Sequence, residues 1–276
     1  MTPGLENVDQ YFATAVERYR MFQRRSVGKP APWTRDKHLR SWRFCNVFRE
    51  DDKTTTWFRE EVRRYLEGEA AVRATIAFRW FNRIEVGEIL RDLLLGTWNT
   101  EEARERLRDV KPVTNGAYII SSPEGYSKLD GVLLRIDGAF SRSLVPPQGW
   151  ESLEAAWRDL LEIDGMGPFM AYEVVSDLRH TPVLMNATDI RTWANAGPGC
   201  ARGLGWVVNG DKRTFGGNDQ EEMLDLMREI LKLSEVRALW PADLPRWEMR
   251  EVEHWACEFD KYKRAEAGCQ LKRRFR

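Results

Sequence analysis

The chain lacks the long apolar runs and the dense cysteine spacing that define several large protein classes. No apolar segment approaches the roughly 18 residues that a transmembrane helix needs. The four cysteines are too scattered to form a disulfide framework, which favours a reduced compartment; they are Cys45, Cys200, Cys257 and Cys269. Residues 1–10 are polar and do not resemble a signal peptide. The sequence therefore predicts a cytoplasmic protein without a membrane partner.

Several catalytic motifs are also missing from the sequence. It contains no GxxxxGK[ST] phosphate loop, no GxGxxG and no GxSxG, which argues against a phosphate-loop kinase, a dinucleotide-binding enzyme and a serine hydrolase. His254, Cys257 and Cys269 fall short of a four-ligand metal set, and His38 and His180 lie in unrelated contexts. We therefore expect no metal and no cofactor.

Net charge is absent as well, but the charge is unevenly distributed. The chain has 43 Lys and Arg residues against 43 Asp and Glu residues. Residues 18–49 nevertheless carry ten basic residues and one acid, and residues 261–276 carry seven basic residues and one acid. Aromatic residues such as Trp33 and Trp42 are interleaved with the first segment. Two basic segments in a neutral protein predict contact with a polyanion such as nucleic acid; the alternative is a solvated surface with a solubilising tail.

The 276 residues, 42% of them hydrophobic, are enough for one large domain or two small ones with a buried core. Apolar residues recur at helical spacing along most of the chain. They predict helices over 44–66, about 69–95, about 220–233 and about 245–263. β-like runs such as 116–120 and 132–136 are too short to define a sheet. Pro146, Pro147 and Gly149 suggest lobes at 1–145 and 146–276, or else one compact domain.

A glycine-rich turn stands out within the second predicted lobe. Residues 162–167 precede Pro168, a residue typical of the first position of a helix. The turn resembles the helix-hairpin-helix element of DNA-repair glycosylases. That resemblance implies that the backbone of Gly165, Met166 and Gly167 holds a DNA phosphate at a helix N-terminus. The alternative is an ordinary corner between two helices.

The glycosylase resemblance continues through residues 185–195 and implies an all-α, two-lobed fold with the active cleft between the lobes. The family's catalytic Asp position falls on Ala187, and Asp189 follows two residues later. The position of the lyase Lys falls on Phe169, and the cysteines lack the spacing of the family's iron–sulfur cluster. These departures disfavour lyase chemistry and weaken the interpretation as an ordinary glycosylase.

A closer resemblance covers nearly the whole chain. It is carried by residues 43–49 with Asp52 and Lys53, and by residues 79–83, 116–119, 165–178, 197–199, 202–203 and 254–262. These stretches look like the α-glutamyl/putrescinyl-thymine pyrophosphorylases, phage-associated amino acid:DNA transferases. The resemblance implies that an amine from an amino acid or a polyamine displaces pyrophosphate from 5-pyrophosphoryloxymethyl-uracil in DNA. A related helical domain accompanies the hydroxymethyluracil DNA kinases.

This chemistry suggests roles for particular residue types. The amine must lose a proton, so a carboxylate is needed as a general base; the candidates are Asp189, Asp52 and Asp177. Arginine suits a departing pyrophosphate; the candidates are Arg49, Arg79, Arg83, Arg191 and Arg202. Asn46 and Asn82 could read the uracil edge. Trp80, Phe81 and Tyr172 could form an aromatic wall for a flipped base.

Each candidate has a structural alternative. Asp189 could cap a helix that starts at Ile190, and Arg49 with Asp52 could simply stabilise a helix. Asp177 could lie on a solvated face, and the aromatic residues could belong to the core. Two other functions also stay open, a glycosylase for a modified pyrimidine and a non-catalytic DNA-binding module. The sequence leaves open the amine donor, the strandedness of the DNA and the oligomeric state.

Overall fold

The structure is a computed structural model that describes residues 5–116 and 122–275. Within these ranges it forms α-helices and short 3₁₀ turns but no strand, and the β-type pairing is one isolated antiparallel bridge between Trp42 and Arg274. The predicted all-α fold is confirmed. No helix in the described ranges is long and apolar enough to cross a membrane.

The α-helices follow one another closely along the chain. In order they are α1 (Val8–Ser26), α2 (Lys37–Ser41), α3 (Lys53–Glu61), α4 (Gly68–Phe81), α5 (Ile84–Ile89), α6 (Arg91–Leu95), α7 (Thr100–Leu107), α8 (Lys128–Phe140), α9 (Leu153–Leu161), α10 (Pro168–Leu178), α11 (Pro198–Asn209), α12 (Gln220–Leu233) and α13 (Met249–Glu266). The 3₁₀ turns are Arg49–Asp51 and Arg63–Tyr65.

Backbone proximity groups the chain into two compact units. The first unit combines Met1–Asp52 with Ile190–Arg276, and the second is Lys53–Asp189. This grouping differs from the boundary expected near residue 146, because the turn at 146–149 lies inside the second unit. The division into 1–145 and 146–276 stays a prediction about lobes.

The first unit is built around a close contact between α11 and α13. A Cβ atom added to Gly203 would lie 1.9 Å from the carbonyl oxygen of Ala256, so only glycine allows the helices to approach this closely. Arg202 reinforces the contact through an ion pair with buried Asp260 at 3.1 Å. Two stretches that carry the family resemblance, 197–203 and 254–262, therefore pack against each other.

The core of the second unit is formed largely by α4. All residues of this helix from Ala71 to Phe81 are buried except Arg73. The ring of Phe78 stacks on that of Phe58 with 4.5 Å between the centroids. Trp80 and Phe81 are each 1% exposed, which favours the core alternative over a role as walls for a flipped base.

The helix predicted over 44–66 is wrong in its first part, where the chain forms a loop and a 3₁₀ turn before α3. Asn46 explains the difference. Its backbone N–H binds the Asp52 side chain and its side chain binds the Asp51 carbonyl, so local side-chain bonds replace helical ones. The helix predicted over 69–95 is likewise broken where Asn82 takes a left-handed conformation, φ 48°, after α4.

Other expectations have mixed outcomes. The helix predicted over 220–233 is confirmed as α12, whereas the one predicted from 245 begins at Met249. The β-like run at 132–136 lies inside α8. Residues 117–121, which include most of the 116–120 run and part of the 116–119 resemblance, lie outside the described residues.

Candidate functional site

The glycine turn predicted to hold a phosphate connects α9 to α10. Gly165 has φ +75°, a conformation that glycine adopts without strain. Gly167 precedes α10, and Pro168 occupies its first turn. Buried Met166 donates its backbone N–H to the Ile163 carbonyl at 2.9 Å. The turn and the start of α10 lie where the sequence predicts them, but the Met166 N–H is bonded within the turn, and both the helix-hairpin-helix assignment and a contact with DNA stay predictions.

Asp189 caps a helix, but not the one that was predicted to start at Ile190. Residues 190–192 form turns, and the Asp189 carboxylate instead accepts hydrogen bonds from the backbone N–H groups of Leu153 at 2.7 Å and Glu154 at 2.9 Å. These are the first two residues of α9, whose N-terminus favours a negative charge. Both carboxylate oxygens are thus engaged in the fold, and a catalytic role for Asp189 stays a prediction.

Asp177 lies in α10 within a buried group that we call the Asp177 cluster, comprising Thr55, Arg63, Arg79, Asn82 and Asp177. The Asp177 carboxylate is fully buried and accepts from Arg63 Nη1 at 3.0 Å and Arg79 Nη2 at 2.8 Å, with a further bond from Arg79 Nε. Protonating it would leave two buried guanidinium groups facing a neutral partner. Asp177 is therefore poorly suited to act as a base.

Arg79 uses its remaining donors inside the same cluster. It donates to Asn82 Oδ1 at 2.9 Å and to Thr55 Oγ1 at 3.0 Å, and it is 1% exposed. The structure thus brings together three predicted site residues, Arg79, Asn82 and Asp177, in a satisfied network. Tyr172 is also buried on α10. Roles of these residues in substrate binding stay predictions.

A second group of polar residues lies in the first unit. This Asp52 cluster comprises Arg18 of α1, the loop residues Cys45, Asn46 and Asp52, and the α13 residues His254, Glu258 and Lys261. Asn46 positions Asp52, because its N–H donates to Asp52 Oδ1 at 3.1 Å. The Asn46 amide donates to the Asp51 carbonyl at 2.7 Å and accepts from Arg18 Nη2 at 2.6 Å. Its polar atoms therefore have partners inside the protein.

His254 completes the cluster from α13. Its Nε2 lies 3.1 Å from the Asn46 carbonyl oxygen. The Cys45 sulfur, a carboxylate oxygen of Asp52 and a ring nitrogen of His254 lie within 4.8 Å of one another. A thiol, a carboxylate and an imidazole thus converge, which is the composition of a proton-transfer site or of a partial metal site.

Charges around this convergence favour proton transfer. Zinc sites usually supply four ligands, or three and a water molecule, and the positive charge of Arg18 disfavours a divalent cation beside it. Lys261 pairs with Glu258 at 2.6 Å, and Glu258 also accepts the Cys45 N–H at 3.0 Å. Against the opposing effect of burial, Lys261 and His254 lower the pKa of Glu258.

Burial raises the pKa of Asp52 to about 6, and the Asn46 hydrogen bond and the charges of Arg18 and Arg49 only partly oppose this shift. A carboxylate with this pKa is ionised at neutral pH yet accepts a proton readily, as a general base requires. Burial also raises the pKa of the Cys45 thiol well above its usual value, which keeps the thiol protonated.

Arg18 carries a buried donor that points to a missing partner. The residue is 5% exposed, and its Nη2 donates to the Phe44 carbonyl as well as to Asn46. Its Nη1 is buried and has no hydrogen-bond partner among the described residues. Within the Asp52 cluster this atom is a donor available to an acceptor from a ligand or water.

Three further predicted arginines are Arg83, which pairs with exposed Glu85 at 3.3 Å in the second unit, and Arg49 and Arg191 in the first unit. Arg49 is buried in the 3₁₀ turn that precedes Asp52. Arg191 is exposed and pairs with Glu235 at 2.6 Å. It lines a cavity of about 730 Å³ together with Thr192, Phe215 and residues of α12. The structure therefore brings Asn46, Arg49 and Asp52 together and places Arg191 at a separate cavity.

Five members of the Asp52 cluster were not predicted from the sequence as site residues: Arg18, Cys45, His254, Glu258 and Lys261. One signal was available for three of them, because positions 254, 258 and 261 recur at the spacing of one helix face within a stretch that carries the resemblance. Nothing in the sequence indicated that this face would meet the loop at 45–52.

Comparisons with known proteins bear out part of the resemblance: they support the related helical domain of the hydroxymethyluracil DNA kinases, and the amino acid:DNA transferase assignment stays a prediction. The family model described as "5-hmdU DNA kinase, helical domain" matches residues 6–270. A 5-hmdU DNA kinase of Bacillus phage SP10 is 26% identical to the chain over 288 residues. The match covers 92% of the chain but 44% of the phage protein, so the chain spans less than half the length of this relative. No solved structure matches the chain.

Proposed function

Because the chain belongs to the family of 5-hmdU DNA kinase helical domains, which it matches over residues 6–270, we propose that it modifies 5-hydroxymethyluracil in DNA. The proposed reaction joins an amine to the 5-methylene carbon of the pyrophosphorylated base and releases pyrophosphate. The observation that carries this proposal is the Asp52 cluster, where a carboxylate with a pKa of about 6 lies beside an imidazole and a buried arginine.

The reaction needs one bond to form and one to break. The amine nitrogen forms a C–N bond to the methylene carbon, and the C–O bond to pyrophosphate breaks with its electron pair leaving on the pyrophosphate oxygen. The nitrogen must give up a proton, which we assign to the Asp52 carboxylate. Since the pKa of Asp52 is about 6, the carboxylate is mostly ionised at pH 7 and available to accept it.

Neighbouring residues have complementary roles in this proposal. Asn46 holds the carboxylate through its backbone N–H, and His254 holds the same loop through the Asn46 carbonyl. The unsatisfied Nη1 of Arg18 is a donor for the negative charge that develops on the leaving group. Arg49 adds a second guanidinium beside Asp52. No step requires a metal or an organic cofactor.

A non-catalytic function is the second candidate. The matching family describes a helical domain of a kinase, and the chain corresponds to less than half of the phage relative. Such a domain could recognise hydroxymethyluracil DNA on behalf of a catalytic partner. In that case the Asp52 cluster would bind the modified base without turning it over.

The experiment incubates the chain with DNA that carries pyrophosphorylated 5-hydroxymethyluracil and with putrescine, glutamate or glycine. Pyrophosphate release is measured, and the nucleosides are identified by mass spectrometry. We expect equal amounts of pyrophosphate and of an amine-bearing thymidine analogue. Asp52→Asn should lower the rate by roughly 100-fold, the usual scale for a general base, with unchanged DNA affinity. Asp189→Asn is the matched control and should keep a rate within a few-fold of the parent.

The other outcomes would replace the proposal. Release of a free pyrimidine base would identify a glycosylase. Selective binding of the modified DNA without any product would favour the recognition domain.

A further inference from the structure

The two basic segments, far apart in sequence, are joined in the first unit. The N–H of Arg43 donates to the Arg273 carbonyl at 3.1 Å, and the N–H of Phe275 donates to the Ser41 carbonyl at 3.1 Å. These bonds flank the antiparallel bridge between Trp42 and Arg274. The chain end after α13 is therefore paired with the segment that follows α2.

We call the paired region of residues 41–43 and 273–275 the junction. Guanidinium groups cover aromatic rings at this junction. Arg274 lies over the ring of Trp42, 4.0 Å from its centroid. Arg25 lies over both Trp33 at 4.9 Å and Phe275 at 5.2 Å. Stacking holds each planar guanidinium on its ring while leaving its edge N–H groups available to an anion.

The cations of the junction are exposed and lack acidic partners. We name six of them the terminal basic surface: Lys37, Arg40, Arg43, Lys272, Arg273 and Arg274. All six are exposed, and within the described part of the chain none forms an ion pair. The neighbouring carboxylate of Asp36 is engaged by the N–H groups of His38 and Leu39 and by the Tyr262 hydroxyl at 2.7 Å.

Helix α7 in the second unit provides a contrast. The arginines of this helix, Arg104 and Arg106, and Arg108 directly after it are all neutralised within the fold. Arg106 pairs with Asp92 at 2.5 Å, and Arg104 pairs with Asp130 at 3.0 Å. Arg108 pairs with Glu105. Basic residues are thus balanced on α7 and left unbalanced where the two segments meet.

We propose that the terminal basic surface is a docking site for the DNA phosphate backbone. Packing two positively charged segments together is unfavourable in the free protein, and a polyanion that spans both removes this repulsion. Because the Trp33 and Trp42 rings are already covered by arginines, the surface contacts phosphates rather than bases and does not read sequence. This inference rests on the proposed function for the identity of the polyanion and extends it by locating the contact.

The test measures binding of the full chain to an unmodified 30-bp duplex by fluorescence anisotropy at several salt concentrations. Two variants each remove three charges from one side of the junction. They are the C-terminal variant Lys272→Gln/Arg273→Gln/Arg274→Gln and the N-terminal variant Lys37→Gln/Arg40→Gln/Arg43→Gln. The matched control removes three charges from α7 and the residue directly after it, and is Arg104→Gln/Arg106→Gln/Arg108→Gln.

Each junction variant should bind at least tenfold more weakly at 0.1 M salt. The slope of log K against log salt should fall by roughly 2–3, since each lost phosphate contact contributes about 0.9. The α7 control should change affinity less than about twofold. Thermal unfolding of the variants checks that the loss is not a loss of fold.

Equal effects of all three variants, or unchanged salt slopes in both junction variants, would overturn the proposal. So would preferential binding of an acidic protein or of RNA over the duplex. Because the duplex carries no modified base and no reaction is followed, this test is independent of amine transfer. If the protein binds DNA through this surface but has no amine-transfer activity, the proposed function is refuted and the docking proposal stands.

Discussion

The two units each enclose a carboxylate near arginine side chains, but they satisfy it to different degrees. Asp177 accepts hydrogen bonds from two buried guanidinium groups, and Arg79 shares its other donors with Thr55 and Asn82. Asp52 accepts a backbone N–H and is influenced by the charges of Arg18 and Arg49, but no arginine among the residues that the structure describes forms an ion pair with it. A fully paired buried charge contributes to a unique fold, whereas an underpaired one keeps its capacity to bind or release a proton.

The largest effect in this comparison is expected for Asp177→Asn. The change leaves Arg63 and Arg79 buried beside a neutral amide, and breaking such a buried pair costs about 3–5 kcal/mol of unfolding free energy. Urea denaturation at pH 7.5 measures this loss. A loss below about 1 kcal/mol would show that the Asp177 cluster is not the structural element that we describe.

Asp52→Asn should have the opposite effect on stability. Because the pKa of Asp52 is raised to about 6 in the folded state from 3.8, the folded chain favours the protonated form, and ionisation costs about 3 kcal/mol of stability at pH 7.5. This cost appears as the pH rises from about 4 to about 6. The variant should therefore be more stable than the parent at pH 7.5 and nearly equal to it at pH 4. If Asp52→Asn instead destabilises the protein at pH 7.5, then Asp52, like Asp177, stabilises the fold through its charge.

The pH dependence of the proposed amine transfer should report the same group. As the pH falls below about 6, protonation of Asp52 should lower kcat/KM by about tenfold per pH unit beyond the change due to the amine itself. The residual activity of Asp52→Asn should lack this inflection. An inflection that persists in the variant would assign the titration to another group.

The smallest effects are expected at Asp189. Asp189→Ala removes the acceptors of the Leu153 and Glu154 N–H groups but leaves the Ser152 cap of α9 in place, and it should cost about 1 kcal/mol of unfolding free energy. Asp189→Asn retains one acceptor oxygen and should cost less. Pyrophosphate release by both variants should stay within a few-fold of the parent. A loss of 100-fold with an intact fold would transfer the catalytic assignment from Asp52 to Asp189.

Sequence patterns correctly predicted the helices and turns that depend on interactions between residues close together in the chain. The amphipathic spacing at 220–233 matches α12, and Gly165 with Pro168 matches the turn before α10. Asp189 is a cap, but the helix it caps begins 36 residues earlier in the chain, and no local pattern could reveal that.

The candidate site was predicted only in part, for the same reason. Asp52, Asn46 and Arg49 follow one another closely, so the sequence could group them. His254 meets Asn46 across 208 residues, and Arg18 meets it across 28. These contacts depend on the packing of α1 and α13 around the loop, which is a property of the tertiary fold.

The separation between Asn46 and His254 also sets the order in which the site can be assembled during synthesis. Ribosomes add about 5–20 residues per second, so His254 is made roughly 10–40 s after the loop that it will contact, 208 residues earlier. Over that interval the second unit, residues 53–189, can fold, whereas the first unit cannot be completed until residues 190–276 have been synthesised. A nascent chain interrupted before α13 therefore contains every residue of the Asp177 cluster but lacks three residues of the Asp52 cluster, so a protein released that early would lack the proposed catalytic site.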